Sequence, residues 1–217
     1  MARQGKYSKG IAKRAEILRR GHEVIARTGP GAAYIKDIAD AVGLTPAGLL
    51  HYFGSREELF AAILRERDRH DVAEFWPKAA EANDIDALRR GYLGIVRHNT
   101  EMPGLVQLYM NMASEAHDPE HPGHGFLRDH GEELRGNLIG GILALQSSGT
   151  LDADIDPVVL ARVLQAVADG LQLQWLIEPD VDMVGGVDVL FRLLLPGLAV
   201  GAGAAPGEGS AGGSISG

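Results

Sequence analysis

IKDIADAVGLTPAGLLHY, residues 35–52, holds two short helical patterns on either side of one glycine. Ile35, Ile38, Ala39 and Val42 recur at i, i+3, i+4 and i+7, which puts them on one face of a helix. Gly43 ends that helix. Thr45-Pro46 then supplies an N-cap and a first helical residue, opening a second helix through about Tyr52. Two helices that cross steeply need a small residue at the close approach, a turn residue tolerant of positive φ, and apolar plugs. Ala39 is small, Gly43 is the turn, and Ile35, Ile38, Val42, Leu44 and Leu49 are the plugs. A plain αα-hairpin would share the glycine and the plugs. The shortness of both helices and the basic residues flanking them favour a helix-turn-helix.

On the N-terminal side, Ile11, Ala15, Leu18, His22 and Ile25 predict an inner face for a first helix, which stops at Thr28-Gly29-Pro30-Gly31. On the C-terminal side, Gly54 breaks the chain and Ser55-Arg56-Glu57-Glu58 is a capping box for a long helix from 56 to about 76. Helical stretches follow at about 84–101, 104–116, 124–148, 157–178 and 183–200, with Asp84 and Asp156 as caps. No run alternates with period two, so the expected class is all-α. The expected division is a helix-turn-helix unit over 1–55, a helical body over 56–200, and a tail over 201–217. That tail has 14 Gly, Ala or Ser among its 17 residues and cannot bury a core.

Charge is distributed unevenly. Residues 1–36 carry nine Lys or Arg against Glu16 and Glu23, whereas residues 61–217 carry 11 basic and 23 acidic groups. A basic head on an acidic body points to a polyanion at one end. The chain has no cysteine, which excludes disulfide scaffolds, thiolate catalysis and cysteine-based zinc sites. The basic N-terminus lacks the apolar stretch of a signal peptide, and the uncharged runs at 136–151 and 193–207 are too broken to span a bilayer. A cytoplasmic protein is expected.

Ile11–Leu64 as a whole resembles the DNA-binding domain of TetR-family transcriptional regulators. The residues that carry the likeness are Ile38-Ala39, Gly43-Leu44-Thr45, Tyr52-Phe53 and Ser55-Arg56-Glu57-Glu58-Leu59. Farther along, ADGLQLQWLIEP is a segment typical of some members. The resemblance implies a homodimeric, ligand-released repressor with double-stranded DNA as its partner, and no catalytic role. By that likeness and by location, Tyr34, Lys36, His51, Tyr52 and Arg56 are expected phosphate anchors. Thr45 offers a hydroxyl, and Pro46, Ala47 and Gly48 offer a close apolar fit to bases. The family usually has Thr at position 48 and Tyr at 50; Gly48 and Leu50 here shift the expected contacts toward His51 and Tyr52.

Large side chains in the body are candidates for an effector pocket: Phe75, Trp76, Tyr109, Met112, Phe126 and Trp175. Their low polarity, with few basic groups nearby, leads to the expectation of a small, mostly apolar effector and no cofactor. The most continuous apolar faces lie on the last two helices. Leu160, Leu164, Val167 and Leu171 on one, with Leu190, Phe191 and Leu194 on the other, are the expected dimer interface. One rival reading uses His117, His121 and His124 as a metal-responsive loop. Pro119 and Pro122 interrupt the helical spacing that would preorganise those imidazoles, so a solvated interhelical loop is preferred. No nucleophile–base pair, P-loop or dinucleotide fingerprint is present.

Overall fold

A computed structural model describes residues 2–28, 34–76 and 84–194. Nine helices run through the described residues: α1 (Ala2–Thr28), α2 (Tyr34–Ala41), α3 (Pro46–Leu50), α4 (Arg56–Phe75), α5 (Ile85–Glu101), α6 (Pro103–Glu115), α7 (His124–Ser147), α8 (Pro157–Ile177) and α9 (Met183–Leu194). The all-α reading holds. The tail over 201–217 lies outside the described residues, as do the side chain of Leu194 and the Gly29-Pro30-Gly31 turn.

The capping residues act as their chemistry dictates. Thr45 Oγ1 accepts from the Gly48 amide at 3.1 Å, and Ser55 Oγ accepts from the Glu58 amide at 3.1 Å. Asp84 accepts from the Asp86 amide, and Asp156 from the amides of Val158 and Val159. Each satisfies a helix-terminal N–H that would otherwise have no intrahelical partner. Gly43 takes φ 67°, the left-handed turn that the α2–α3 corner requires.

The apolar side chains form two clusters. The first joins Ile17, Ile25, Ile38, Leu49 and Phe53 of the N-terminal helices to Leu59–Leu64 of α4 and to Leu105, Leu108, Tyr109 and Met112 of α6. The second joins Leu88 and Tyr92 of α5 to Leu138, Ile142 and Leu145 of α7, Leu160 and Leu164 of α8, and Val187 and Phe191 of α9. α4 is buried over a continuous run from Leu59 to Leu64 because α1, α2 and α6 surround it. α1 crosses it closely at Gly21, where a Cβ would stand 2.6 Å from Ile63 Cδ1.

The face of α1 is rotated from the expectation. Ile17, Leu18, Gly21, Val24 and Ile25 turn inward, while Ile11 is 57% exposed and Ala15 is exposed. Gly21, absent from the expected face, is buried because it has no side chain at the α4 crossing.

Candidate functional site

The helix-turn-helix is held by contacts from outside the motif. Lys13 of α1 donates from Nζ to the Val42 carbonyl at 2.7 Å and to Glu16 at 3.0 Å, fastening the C-terminal end of α2. The Leu44 amide donates to the Ala39 carbonyl at 2.8 Å across the turn. The Arg14 guanidinium lies 4.5 Å from the Phe53 ring centre, bracing the turn that follows α3.

Most of the expected DNA-contact residues are exposed. Thr45, Pro46, Ala47 and His51 are exposed around α3; Gly48 and Tyr52 are partly exposed. Lys36 is exposed on α2 and pairs with Asp40 at 2.8 Å, and Arg56 is exposed at the start of α4 and pairs with Glu57 at 3.1 Å. Such exposed pairs are each worth about 0–1 kcal/mol, so a phosphate can draw the cation away. Gly48 suits its place because a Cβ would stand only 3.2 Å from the Thr45 Oγ1 that caps the helix. Tyr34 departs from the expectation. It is 4% exposed and stands edge-on to Phe60, so it is core where a phosphate anchor was expected.

The body holds a cavity behind α4, bounded by α4, α5, α6, α7 and α8 and enclosing about 70 Å³. Trp76 and Tyr109 line it, as expected from sequence, together with Tyr92, Asn99, His130 and Asp169. The other expected pocket residues lie elsewhere. Phe75 packs on His98 and on the backbone at Gly94; Met112 borders a separate groove beside Tyr34 and Arg56; Phe126 is 1% exposed in the first core cluster; Trp175 packs against the second. They fill core where the helices meet.

The cavity wall is also more polar than the sequence reading expected. Arg67, 5% exposed, donates from Nε and Nη2 to Asp68 Oδ1 at 3.2 and 2.8 Å. The other Asp68 oxygen lies 2.8 Å from His130 Nδ1 of α7, and Asp71 lies 2.7 Å from His98 Nδ1 of α5. Burial opposes the Asp68 charge, but Arg67 and His130 hold its carboxyl below the usual carboxylate range. Burial wins at Asp71, whose carboxyl is pushed up despite Arg67 and His98. Both carboxylates belong to α4, so these pairs tie that helix to α5 and α7. Their sequence signal was a polar residue in an apolar row: Ile63, Arg67 and Asp71 follow at i, i+4 and i+8 on one buried face.

The histidine loop has other work. The His121 ring accepts from the Gly123 amide at 3.0 Å, and the His124 and His117 rings lie 2.9 and 3.2 Å from the carbonyls of Ala116 and Ser114. These bonds build the α6–α7 turn, and nothing favours the metal reading. Among the described residues, no group of three His, Cys, Asp or Glu side chains is placed to hold a metal ion.

On the last two helices, Leu160 and Leu164 (7% and 2% exposed) and Phe191 (2%) are inside the protomer core, with Val167, Leu171 and Leu190 packed partly buried against it. The expected interface therefore chose the inward face, because an apolar row alone does not say which neighbour covers it. The outward face carries a second row: Val159, Val163, Ala166, Gly170, Leu173 and Ile177, spaced 4-3-4-3-4 along α8. Val159, Val163, Leu173 and Ile177 are 42–71% exposed, and Val189 and Leu193 of α9 are 53% and 75% exposed.

A braced helix-turn-helix with a small-featured outer helix, set on a helical body, defines a DNA-binding regulator. Residues 17–63 match the model of bacterial regulatory proteins of the tetR family. The chain is 30% identical over 166 residues to the HTH-type transcriptional regulator BetI of Rhizobium meliloti (strain 1021), covering 75% of this chain and 77% of that one. Among solved structures, a transcriptional regulator from Saccharomonospora viridis in complex with choline has a TM-score of 0.63 and 24% identity, covering 84% of this chain and 96% of that one. Thermus thermophilus FadR, a repressor in complex with lauroyl-CoA, has a TM-score of 0.59 and 20% identity, covering 90% and 100%. The chain belongs to the TetR family of helix-turn-helix transcriptional regulators. No helix among the described residues is long and apolar enough to cross a membrane.

Proposed function

We propose that the chain is a homodimeric, cytoplasmic repressor that leaves its operator when a small molecule occupies the cavity behind α4, without catalysing a reaction. The observation that carries this reading is the course of α4. Its first half is buried among α1, α2 and α6, its second half supplies Arg67, Asp68 and Asp71 to the cavity wall, and Trp76 follows at its C-cap. About 70 Å³ is less than the 150 Å³ or so known to admit benzene, so a ligand of that size held wholly inside has to part the walls. Parting them displaces α4 and, with it, the helix-turn-helix. A tenfold loss of operator affinity needs only about 1.4 kcal/mol of differential binding between the two arrangements.

In this reading residues 1–55 recognise DNA and residues 56–200 pair the protomers and hold the effector. Lys36, His51, Tyr52 and Arg56 face phosphates, the Thr45 hydroxyl donates to one, and Pro46, Ala47 and Gly48 fit against base edges. The outward row from Val159 to Ile177, with Val189 and Leu193, meets its copy across a two-fold axis. Ala166 and Gly170 at its centre allow the two α8 helices to approach closely. A pair of half-site readers is what a helix-turn-helix needs for useful specificity.

The test starts from a duplex selected by the purified protein from a random-sequence library, with binding followed by fluorescence anisotropy. Lys36→Ala and Arg56→Ala are each expected to lower affinity for all sequences and to reduce the salt slope by about one unit. An unchanged slope in both variants refutes the assigned DNA surface.

A further inference from the structure

A choline complex and a lauroyl-CoA complex among similar folds leave the ligand class open, so this chain's own cavity has to decide it. Its wall carries Asp68, Asp71, Glu133 and Asp169 against Arg67 and His130. The groups able to answer a carboxylate are already committed: Arg67 donates to Asp68, and His130 lies against the other oxygen of the same carboxylate. Asp71 has His98. Asp169 differs from both, since no hydrogen bond or ion pair among the described residues reaches its carboxylate. Burial pushes its carboxyl above the usual range, against the pull of His130 and Arg67, so holding the charge there costs stability. Asn99, on the same wall, is 6% exposed and its Oδ1 has no hydrogen-bond partner. An unmatched acceptor at such depth costs about 1–3 kcal/mol until something donates to it. Around these acceptors stand the rings of Trp76, Tyr92 and Tyr109.

We propose that the cavity is a site for a protonated organic amine, whose ammonium group donates to Asp169 beside the aromatic wall. This rests on the effector reading above and names its ligand class. The Asp169 carboxylate is an acceptor with no hydrogen bond or ion pair among the described residues, so a ligand that meets it has to bring a donor. A positive charge answers the unpaired carboxylate, and an aromatic face attracts a cation most strongly where water is excluded. An anion meets an acid-rich wall, and a hydrocarbon leaves Asp169 unmatched. The chemistry replaces the apolar effector expected from side-chain size alone with an amphipathic, cationic one.

The test is calorimetric titration of the full-length protein with propylamine, benzylamine and phenethylamine at neutral pH. Each is set beside the alcohol and the carboxylate of the same skeleton. At least one amine is expected to bind about tenfold or more tightly than its alcohol, the equivalent of about 1.4 kcal/mol, and its carboxylate is expected to bind weakest. Asp169→Asn keeps the shape of the side chain and removes its charge. It is expected to bring the amine down to the level of the alcohol while leaving alcohol binding and effector-free operator binding in place, which shows that the variant is folded. Equal binding of amines and alcohols, or tighter binding of carboxylates, overturns the proposal. So does an amine preference that survives Asp169→Asn. An amine that binds through Asp169 but leaves the operator complex intact supports the site and refutes ligand-released repression. An alcohol or carboxylate that releases the operator while no amine binds does the reverse.

Discussion

Asp68→Asn is the perturbation that most exposes the fastening of α4. The side chain of Arg67 is 6% exposed and that of Asp68 is 18% exposed, so the pair is close to fully desolvated. Breaking a buried pair by removing one charge costs about 3–5 kcal/mol, because the remaining charge is left uncompensated. Asp71 also acts on Arg67 and softens that loss, and the amide of the variant can still meet His130, so the expected destabilisation is about 2–4 kcal/mol. For a chain of this length, that is a fall in Tm of about 5–15 °C. The assay is thermal and urea unfolding of both proteins at the same protomer concentration, since pairing couples stability to concentration. The dependence on pH has a fixed sign. The Asp68 carboxyl titrates lower in the folded state than in the unfolded one, so its contribution is fully present above the unfolded value of about 3.9 and disappears as pH falls through the folded value. The gap between wild type and variant therefore closes in acid. A loss below about 0.5 kcal/mol at neutral pH, or a gap that widens in acid, refutes the idea that this network fastens α4.

Thr45→Ala removes the oxygen that caps α3 and is expected to cost about 1 kcal/mol of stability and to weaken operator binding; equal urea midpoints and equal anisotropy curves would contradict this. Gly94→Ala puts a Cβ 2.8 Å from the Phe75 ring at the end of α4, where overpacking of about 1–3 kcal/mol outweighs a helix-propensity gain of about 1 kcal/mol. A variant that melts above wild type would show that Phe75 has room to move. Val163→Glu is expected to give folded monomers by light scattering, whereas Leu164→Glu, one residue along, is expected to unfold the protomer, because Val163 is 42% exposed and Leu164 is 2% exposed. Matching behaviour of the two variants would contradict the outward-face dimer.

The sequence located what local chemistry determines. Helix ends followed from Thr45, Ser55, Asp84 and Asp156, because a cap needs only its own next few residues. The helix-turn-helix followed from Gly43 and its plugs for the same reason. Which of two apolar rows on α8 faces inward depends on where α5, α7 and α9 lie, and that is a tertiary fact. Leu164 and Val163 are equally apolar neighbours in the chain with opposite fates. Tyr34 shows the same limit: an aromatic hydroxyl at the start of α2 suits a phosphate or a core, and the position of Phe60 decides it. The cavity was half legible. Trp76 and Tyr109 stand out by size, but Asp169 matters because no hydrogen bond or ion pair among the described residues reaches its carboxylate, a property that exists only after folding.

If filling the cavity moves α4, it re-spaces two paired helix-turn-helix units. The chain has no cysteine, so Ala41→Cys, exposed at the end of α2, places a single spin label on each protomer. Dipolar spectroscopy then reads the distance between the two heads of a dimer. A narrow distance distribution is expected on the selected operator duplex, and a displaced one when the amine that binds by calorimetry is added. An absence of any interprotomer distance, or one that stays fixed while that amine drives the protein off DNA, would contradict that re-spacing.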